Sequence, residues 1–251
     1  MKIEVQIEDN RFNVEYCDLF DNKNNNLLMK LEHCGRYLWA TDCLSKVGSN
    51  RVLDVACATG YGTKMLAEKL EDVIGVDKNM ECLDYARKCN NGSNIEYRCV
   101  DLEKESVRKY VSDSFDAVVC FETLEHLIEP EKLLKDIYKL LVNEGCLLVS
   151  VPNSIYERID EDGNNLDSYH KHVFSKDRMI SLLNDNGFDV CEILGQDITN
   201  RIVSRIVDSD YQDELEVSGD IRKISYLMAY PDDSCVDRSY SYIFCCKKRN
   251  L

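Results

Sequence analysis

No stretch of the 251 residues approaches the roughly 18 consecutive apolar positions that a membrane-crossing helix needs, so no membrane-spanning segment is expected. Met1–Asn10 alternates apolar with charged residues instead of forming the apolar core of a signal peptide, and the expected location is the cytoplasm. Proline is scarce, at three residues, and biased sequence is confined to the short run Asn22–Asn26, which excludes general disorder. A CxxC pair is missing, so a structural zinc site has little support. The thirteen cysteines are scattered, with Cys120, Cys146, Cys191, Cys245 and Cys246 inside apolar runs, and read as reduced buried thiols. Basic residues are outnumbered 31 to 46, for a net charge of −15. That balance repels a polyanion over most of the surface and makes long nucleic acid an unfavourable partner. The one basic patch, Lys247–Arg249, reads as a solvated tail after a final strand.

What is present fits a single α/β catalytic domain with appended elements. Residues 1–48 read as an N-terminal extension and helical cap, with Leu27, Leu28, Leu31, Leu38 and Leu44 marking one or two amphipathic helices. From residue 49 to 251 strands and helices alternate. Strands are expected at Arg51–Ala56, Asp72–Val76, Asn94–Val100, Phe115–Phe121, Cys146–Val151, Phe188–Leu194 and Ser239–Lys247. Helices are expected at Tyr61–Leu70, Glu81–Cys89, Glu131–Leu141 and Ser175–Asn186. This alternation predicts a doubly wound, mostly parallel sheet with helices on both faces. An acid-rich insertion at about 195–234 interrupts it, with a possible strand at Ile224–Ala229. The insertion is a reasonable substrate lid or homodimer contact.

The turn Asp54–Gly62 follows a strand and opens a helix, so its small residues let a ligand approach the free N–H groups at the helix start. Ala56 and Ala58 stand where a GxGxxG pattern has its first two glycines, which disfavours a pyrophosphate and with it a nicotinamide-dependent reductase. Asp77 closes the second strand where it can accept two ribose hydroxyls, and Asp101 follows the third strand, within reach of an adenine amino group. Three strand ends thus build a nucleoside slot.

Over about His33–Phe188 the sequence resembles the class I S-adenosylmethionine-dependent methyltransferases. Val52-Leu-Asp-Val-Ala-Cys-Ala-Thr-Gly-Tyr-Gly-Thr63 looks like their first motif, Gly75-Val-Asp-Lys78 their second, and Ser114-Phe-Asp-Ala-Val-Val-Cys-Phe-Glu122 their fourth-strand motif. The resemblance implies a Rossmann-like α/β fold with seven strands and N-terminal helices. It implies Asp54, Ala56 and Gly60 beside the methionine portion, Asp77 at the ribose, Asp101 at the adenine and Phe121 near the sulfonium. Arg36 and Tyr37 look like the helical segment that covers the cofactor carboxylate.

Directly after the fourth strand comes Glu122-Thr-Leu-Glu125-His126, whose i, i+3, i+4 spacing lets all three polar residues face one side of a helical turn. Later, His170 and His172 alternate as on an extended segment and point the same way. Carboxylates with imidazoles suit a divalent metal such as Mg2+, with Glu122, Glu125, His126 and His172 as candidate ligands. Without metal, His126, His170 or His172 could act as general base. The pattern looks like two metal-dependent branches of the family, those methylating small-RNA 3′ ends and those of ubiquinone biosynthesis. The leading expectation is O-methylation of a small molecule such as a sugar, sugar nucleotide or secondary metabolite. RNA 3′-end 2′-O-methylation and a non-catalytic methyltransferase-like partner subunit stand as alternatives.

Overall fold

A computed structural model describes residues 27–111, 114–157, 169–196, 220–234 and 236–250. Positions 1–26 of the expected extension and 197–219 of the expected insertion lie outside the described residues. The strands are β1 (Arg51–Val55), β2 (Asp72–Asp77), β3 (Ile95–Cys99), β4 (Phe115–Phe121), β5 (Leu141–Pro152), β6 (Phe188–Gln196) and β7 (Ser241–Lys248). The helices are α1 (Leu27–Lys46), α2 (Tyr61–Ala67), α3 (Met80–Cys89), α4 (Pro130–Leu140), α5 (Lys176–Asp185) and α6 (Ile221–Met228).

The strands form one seven-stranded sheet in the order β3-β2-β1-β4-β5-β7-β6, with β7 antiparallel to both neighbours. The chain runs outward from β1 to β3 and then returns to lay β4 on the other side of β1, register Val55↔Cys120. The β1–β4 junction is therefore the switch point of the sheet, and the carboxyl ends of its strands are where open α/β sheets bind ligands.

Alternate residues of the central strands face opposite layers. Val52, Val73, Ala117, Val119 and Leu148 pack under α1 and α2 with Tyr37, Ala40, Leu44, Met65 and Leu66. Leu53, Ile74, Val118, Leu147 and Val149 pack on the other face against Leu133, Leu134 and Ile137 of α4 and Met179 and Leu183 of α5. Each such side chain contributes about 1.5–3 kcal/mol on full burial. Helix starts are set locally: the Asn79 side chain accepts from the N–H groups of Glu81 and Cys82, Pro130 opens α4, and Ser175 accepts from Arg178.

Two expectations are corrected. Ile224–Ala229 is not a strand but most of α6, because Asp220 caps its start and Ile221, Ile224, Ser225 and Met228 turn to α1 and its surroundings at helical spacing. The basic patch is not a tail, because Lys247 and Lys248 continue β7 and Arg249 pairs with Asp189.

Candidate active site

The cradle begins where β1 ends. Ala56, Ala58 and Gly60 all adopt left-handed backbone, with φ of 58°, 48° and 76°. Two alanines thus hold a conformation that glycine adopts without strain. A Cβ at Gly60 would strike the Tyr97 hydroxyl and the Ala86 methyl, so this position has no such latitude. The turn is stitched to β2: the Ala58 N–H donates to Asp77 Oδ2 at 2.9 Å and the Asn79 N–H to Oδ1 at 2.8 Å. Asp77 stands at the end of β2, where a carboxylate can accept ribose hydroxyls. Asp101 accepts from the Glu103 N–H and meets Lys104 Nζ at 2.7 Å, and the Lys104 hydrogen bond holds its carboxyl below the usual range.

Asp54 lies fully buried beneath the turn, with Tyr37 Oη donating to Oδ1 at 2.9 Å and Thr63 Oγ1 to Oδ2 at 2.6 Å. Burial pushes its pKa up to about 7 against those two donors. Tyr37 packs edge-on against Phe121 at 5.3 Å and against Tyr61 at 5.7 Å, so α1 closes over the cradle through this ring. Arg36 turns toward the other side of the switch point. Its Nε and Nη2 donate to Gln196 Oε1 at 3.1 and 2.9 Å, its Nη1 reaches Ser150 Oγ at 3.3 Å and Glu122 Oε1 at 3.1 Å, and its guanidinium lies 5.8 Å above the Phe121 ring.

Glu122 does not share a face with Glu125 and His126. It sits at φ 45°, outside any helix, while a single 3-10 turn spans Leu124–His126. Its N–H donates to Ser150 O and Oγ, and its Oε1 accepts from Ser150 Oγ at 2.7 Å as well as from Arg36. Nor do His170 and His172 point the same way. His172 Nε2 lies 3.2 Å from Ile128 O and its Nδ1 3.4 Å from Arg178 Nη2, so both nitrogens are engaged away from the acids.

What the structure brings together is Glu125, His126 and His170, whose ligand atoms all lie within 4.8 Å of one another. The backbone of the histidine segment is pinned there, since Glu125 O accepts the N–H groups of Lys171 and His172 at 2.6 and 3.1 Å. Glu125 is buried, and neither of its carboxyl oxygens has a hydrogen-bond partner among the described residues. Burial, with the Glu122 charge behind it, pushes its pKa well above the usual carboxylate range. His126 Nδ1 lies 3.0 Å from Tyr169 O, which can only accept, so the proton sits on Nδ1 and Nε2 keeps its lone pair, 3.8 Å from Glu125 Oε1. His170 Nδ1 likewise faces Glu157 Oε1 at 2.9 Å. An imidazole held through one nitrogen by a carbonyl or carboxylate, with the other turned inward, is how metal-ligating histidines are oriented. Two imidazoles and an orphaned carboxylate fit a divalent cation.

His33 was not singled out from the sequence, and Tyr61 was not assigned to the site. His33 Nδ1 meets Tyr61 Oη at the lip of the cradle, and burial, reinforced by Arg36, pushes the imidazole down to about 3, so it stays neutral. The spacing His33, Arg36, Tyr37 on one helical face was the available signal. Gln196, at the edge of the insertion, carried none.

A switch point with a small-residue turn and strand-end acids defines a nucleoside-cofactor-binding α/β fold of the Rossmann type. A family model described as methyltransferase domain matches residues 53–149. The juvenile hormone acid O-methyltransferase of Bombyx mori is 28% identical over 160 residues, 62% of this chain and 55% of that protein. The ubiquinone biosynthesis O-methyltransferase of Idiomarina loihiensis is 34% identical over 105 residues, 41% of this chain and 42% of that protein. The chain therefore spans about half the length of the curated relatives it matches. An S-adenosylmethionine-dependent methyltransferase from Mesorhizobium loti shares the fold, with a TM-score of 0.61 at 18% identity over 86% of this chain and 100% of that one. Residues 53–149 thus match a methyltransferase domain, and the fold is that of the class I S-adenosylmethionine-dependent methyltransferases. S-adenosylmethionine is the cofactor of that class.

Proposed function

We propose that the protein transfers a methyl group from S-adenosylmethionine to a hydroxyl oxygen of a small molecule, with a divalent cation at Glu125, His126 and His170. The observation that carries this reading is the buried Glu125 carboxyl, without a hydrogen-bond partner among the described residues, between two inward-turned imidazoles next to the end of β4. Hydroxyl acceptors need activation that thiols and amines need less, and a cation lowers the pKa of a hydroxyl beside it. The O-methyltransferase names of the two relatives accord with oxygen as the target.

The cofactor supplies an electrophilic methyl on a positively charged sulfur. Asp77 binds the ribose and Asp101 the adenine edge, while Tyr37 and Phe121 wall the methionine end and keep water from it. Displacement at the methyl requires the acceptor oxygen in line and within contact distance, which is a matter of positioning. His126, with Nδ1 fixed on Tyr169 O, would hold the cation through Nε2, and the hydroxyl proton, made more acidic beside the cation, leaves to solvent. The charge of −15 stands against RNA as acceptor.

Calorimetry with S-adenosylhomocysteine tests the cofactor half: binding is expected for the native protein and a large loss for Asp77→Ala. No heat from freshly purified native protein would sink it. Mn2+ titration tests the other half, with binding lost in Glu125→Gln. Equal Mn2+ affinity in native protein and that variant would remove the cation from these residues.

A further inference from the structure

We infer that Cys43, Cys146 and Cys245 form a second metal site, one that takes a soft monovalent cation, Cu+, at the end of the sheet away from the cradle. It stands apart from the cation reading of Glu125, His126 and His170.

No metal-binding spacing joins these cysteines in the sequence; the fold collects them. Cys43 comes from the end of α1, Cys146 from β5 and Cys245 from β7. All three are half-buried on the face of the sheet that α1 covers, whereas Cys246 turns to the other face. Cys146 Sγ and Cys245 Sγ are 4.0 Å apart, and the Cys43 thiol hydrogen-bonds that of Cys245, so Cys245 stands between the other two. Cys146 precedes Pro152, the last residue of β5, by six positions. That is about 20 Å of strand between the thiols and the strand ends that carry the cradle.

A disulfide does not suit this geometry. Cys146 is in register with Lys247 and Cys245 with Leu148, so the two cysteines are diagonal neighbours across an antiparallel pair. Diagonal residues hold their α carbons about 7–8 Å apart, beyond the roughly 4.4–6.8 Å that a disulfide spans. An ion fits the same gap. Two metal–sulfur bonds of about 2.3 Å reach up to about 4.6 Å end to end, and close on the observed 4.0 Å when bent. Thiolates select soft cations, Cu+ and Zn2+ among them, but zinc completes a tetrahedron with four ligands where this cluster supplies three sulfurs. Cu+ is therefore the occupant, with Cys146 and Cys245 as its first pair and Cys43 as the third sulfur. Each thiol that binds it gives its proton to solvent. The ion ties the end of α1 to β5 and β7.

The test is a competition on the full chain, reduced and free of oxygen, with bicinchoninate holding Cu+ as a coloured chelate. Native protein is expected to remove one equivalent. Cys245→Ser is expected to bind Cu+ over about 100-fold more weakly, the upper end of what losing even a hydrogen-bond partner of a ligand costs. Cys89→Ser, exposed at the end of α3, should keep native affinity, and so should Glu125→Gln. Should Cys245→Ser not fold, mass mapping of iodoacetamide labelling on native protein gives the same answer: Cu+ should shield Cys43, Cys146 and Cys245 but not Cys89. The site is overturned if native protein leaves the chelate coloured, if Cys245→Ser takes up Cu+ equally, or if the three cysteines label alike with and without Cu+. Uptake lost in Glu125→Gln and kept in Cys245→Ser would move the ion to the other cluster. Zn2+ bound in preference to Cu+ overturns the choice of ion.

Discussion

Asp54 carries its two donors and a heavy desolvation cost at once, and that combination makes stability depend on pH. Its folded pKa of about 7 lies above its ordinary 3.8, so the folded state prefers the protonated acid. Its contribution is fully present below about pH 4 and is lost as pH rises through 7, a change of roughly 4 kcal/mol at most. Asp54→Asn removes this slope. Urea unfolding of native protein and variant at pH 5 and pH 8 should show the variant gaining relative stability at the higher pH; parallel curves would refute it. Glu125→Gln keeps the shape of the buried side chain and removes a carboxyl whose charged form burial disfavours, so the apo protein should melt no lower than native at neutral pH. The Mn2+-induced rise in melting temperature should vanish in it, since only a ligand that binds the folded state stabilises it. At this scale the acids Asp54, Asp77 and Asp101 were legible because strand ends and small-residue turns announce themselves in sequence. Glu122 and His172 were misassigned for a physical reason: a helical spacing argument presumes a helix, and the left-handed backbone at Glu122 breaks the period.

Among the elements, the contact of α1 with α2 decides how the cradle is closed. A methyl group at Gly62 would sit inside the Tyr37 ring. Gly62→Ala should therefore push α1 outward, at a cost of about 1–3 kcal/mol, and weaken S-adenosylhomocysteine binding. Thermal melts with and without ligand check both parts. An unchanged ligand affinity would mean that α1 does not cover the cofactor. The βαβ alternation was readable because apolar runs of five to seven residues were punctuated by capped helices. α6 was misread because Ile224, Tyr226 and Met228 also alternate, and a short amphipathic segment satisfies either period until Asp220 is recognised as its cap.

For the molecule as a whole, the excess of 46 acids over 31 bases sets the terms of encounter. A short RNA duplex should not be retained even at about 50 mM salt, a condition that favours electrostatic binding. Retention in a gel-shift assay would revive the RNA reading. Among the described residues no helix is long and apolar enough to cross a membrane. The sheet order has a consequence for how the chain is made. β7 lies between β5 and β6 and joins residues as distant as Cys146 and Lys247. Until β7 has been synthesised, β5 and β6 each present an open edge, and the half-built sheet is a template for pairing with other nascent chains. Recovery of native protein during expression is thus governed by how soon that one strand arrives.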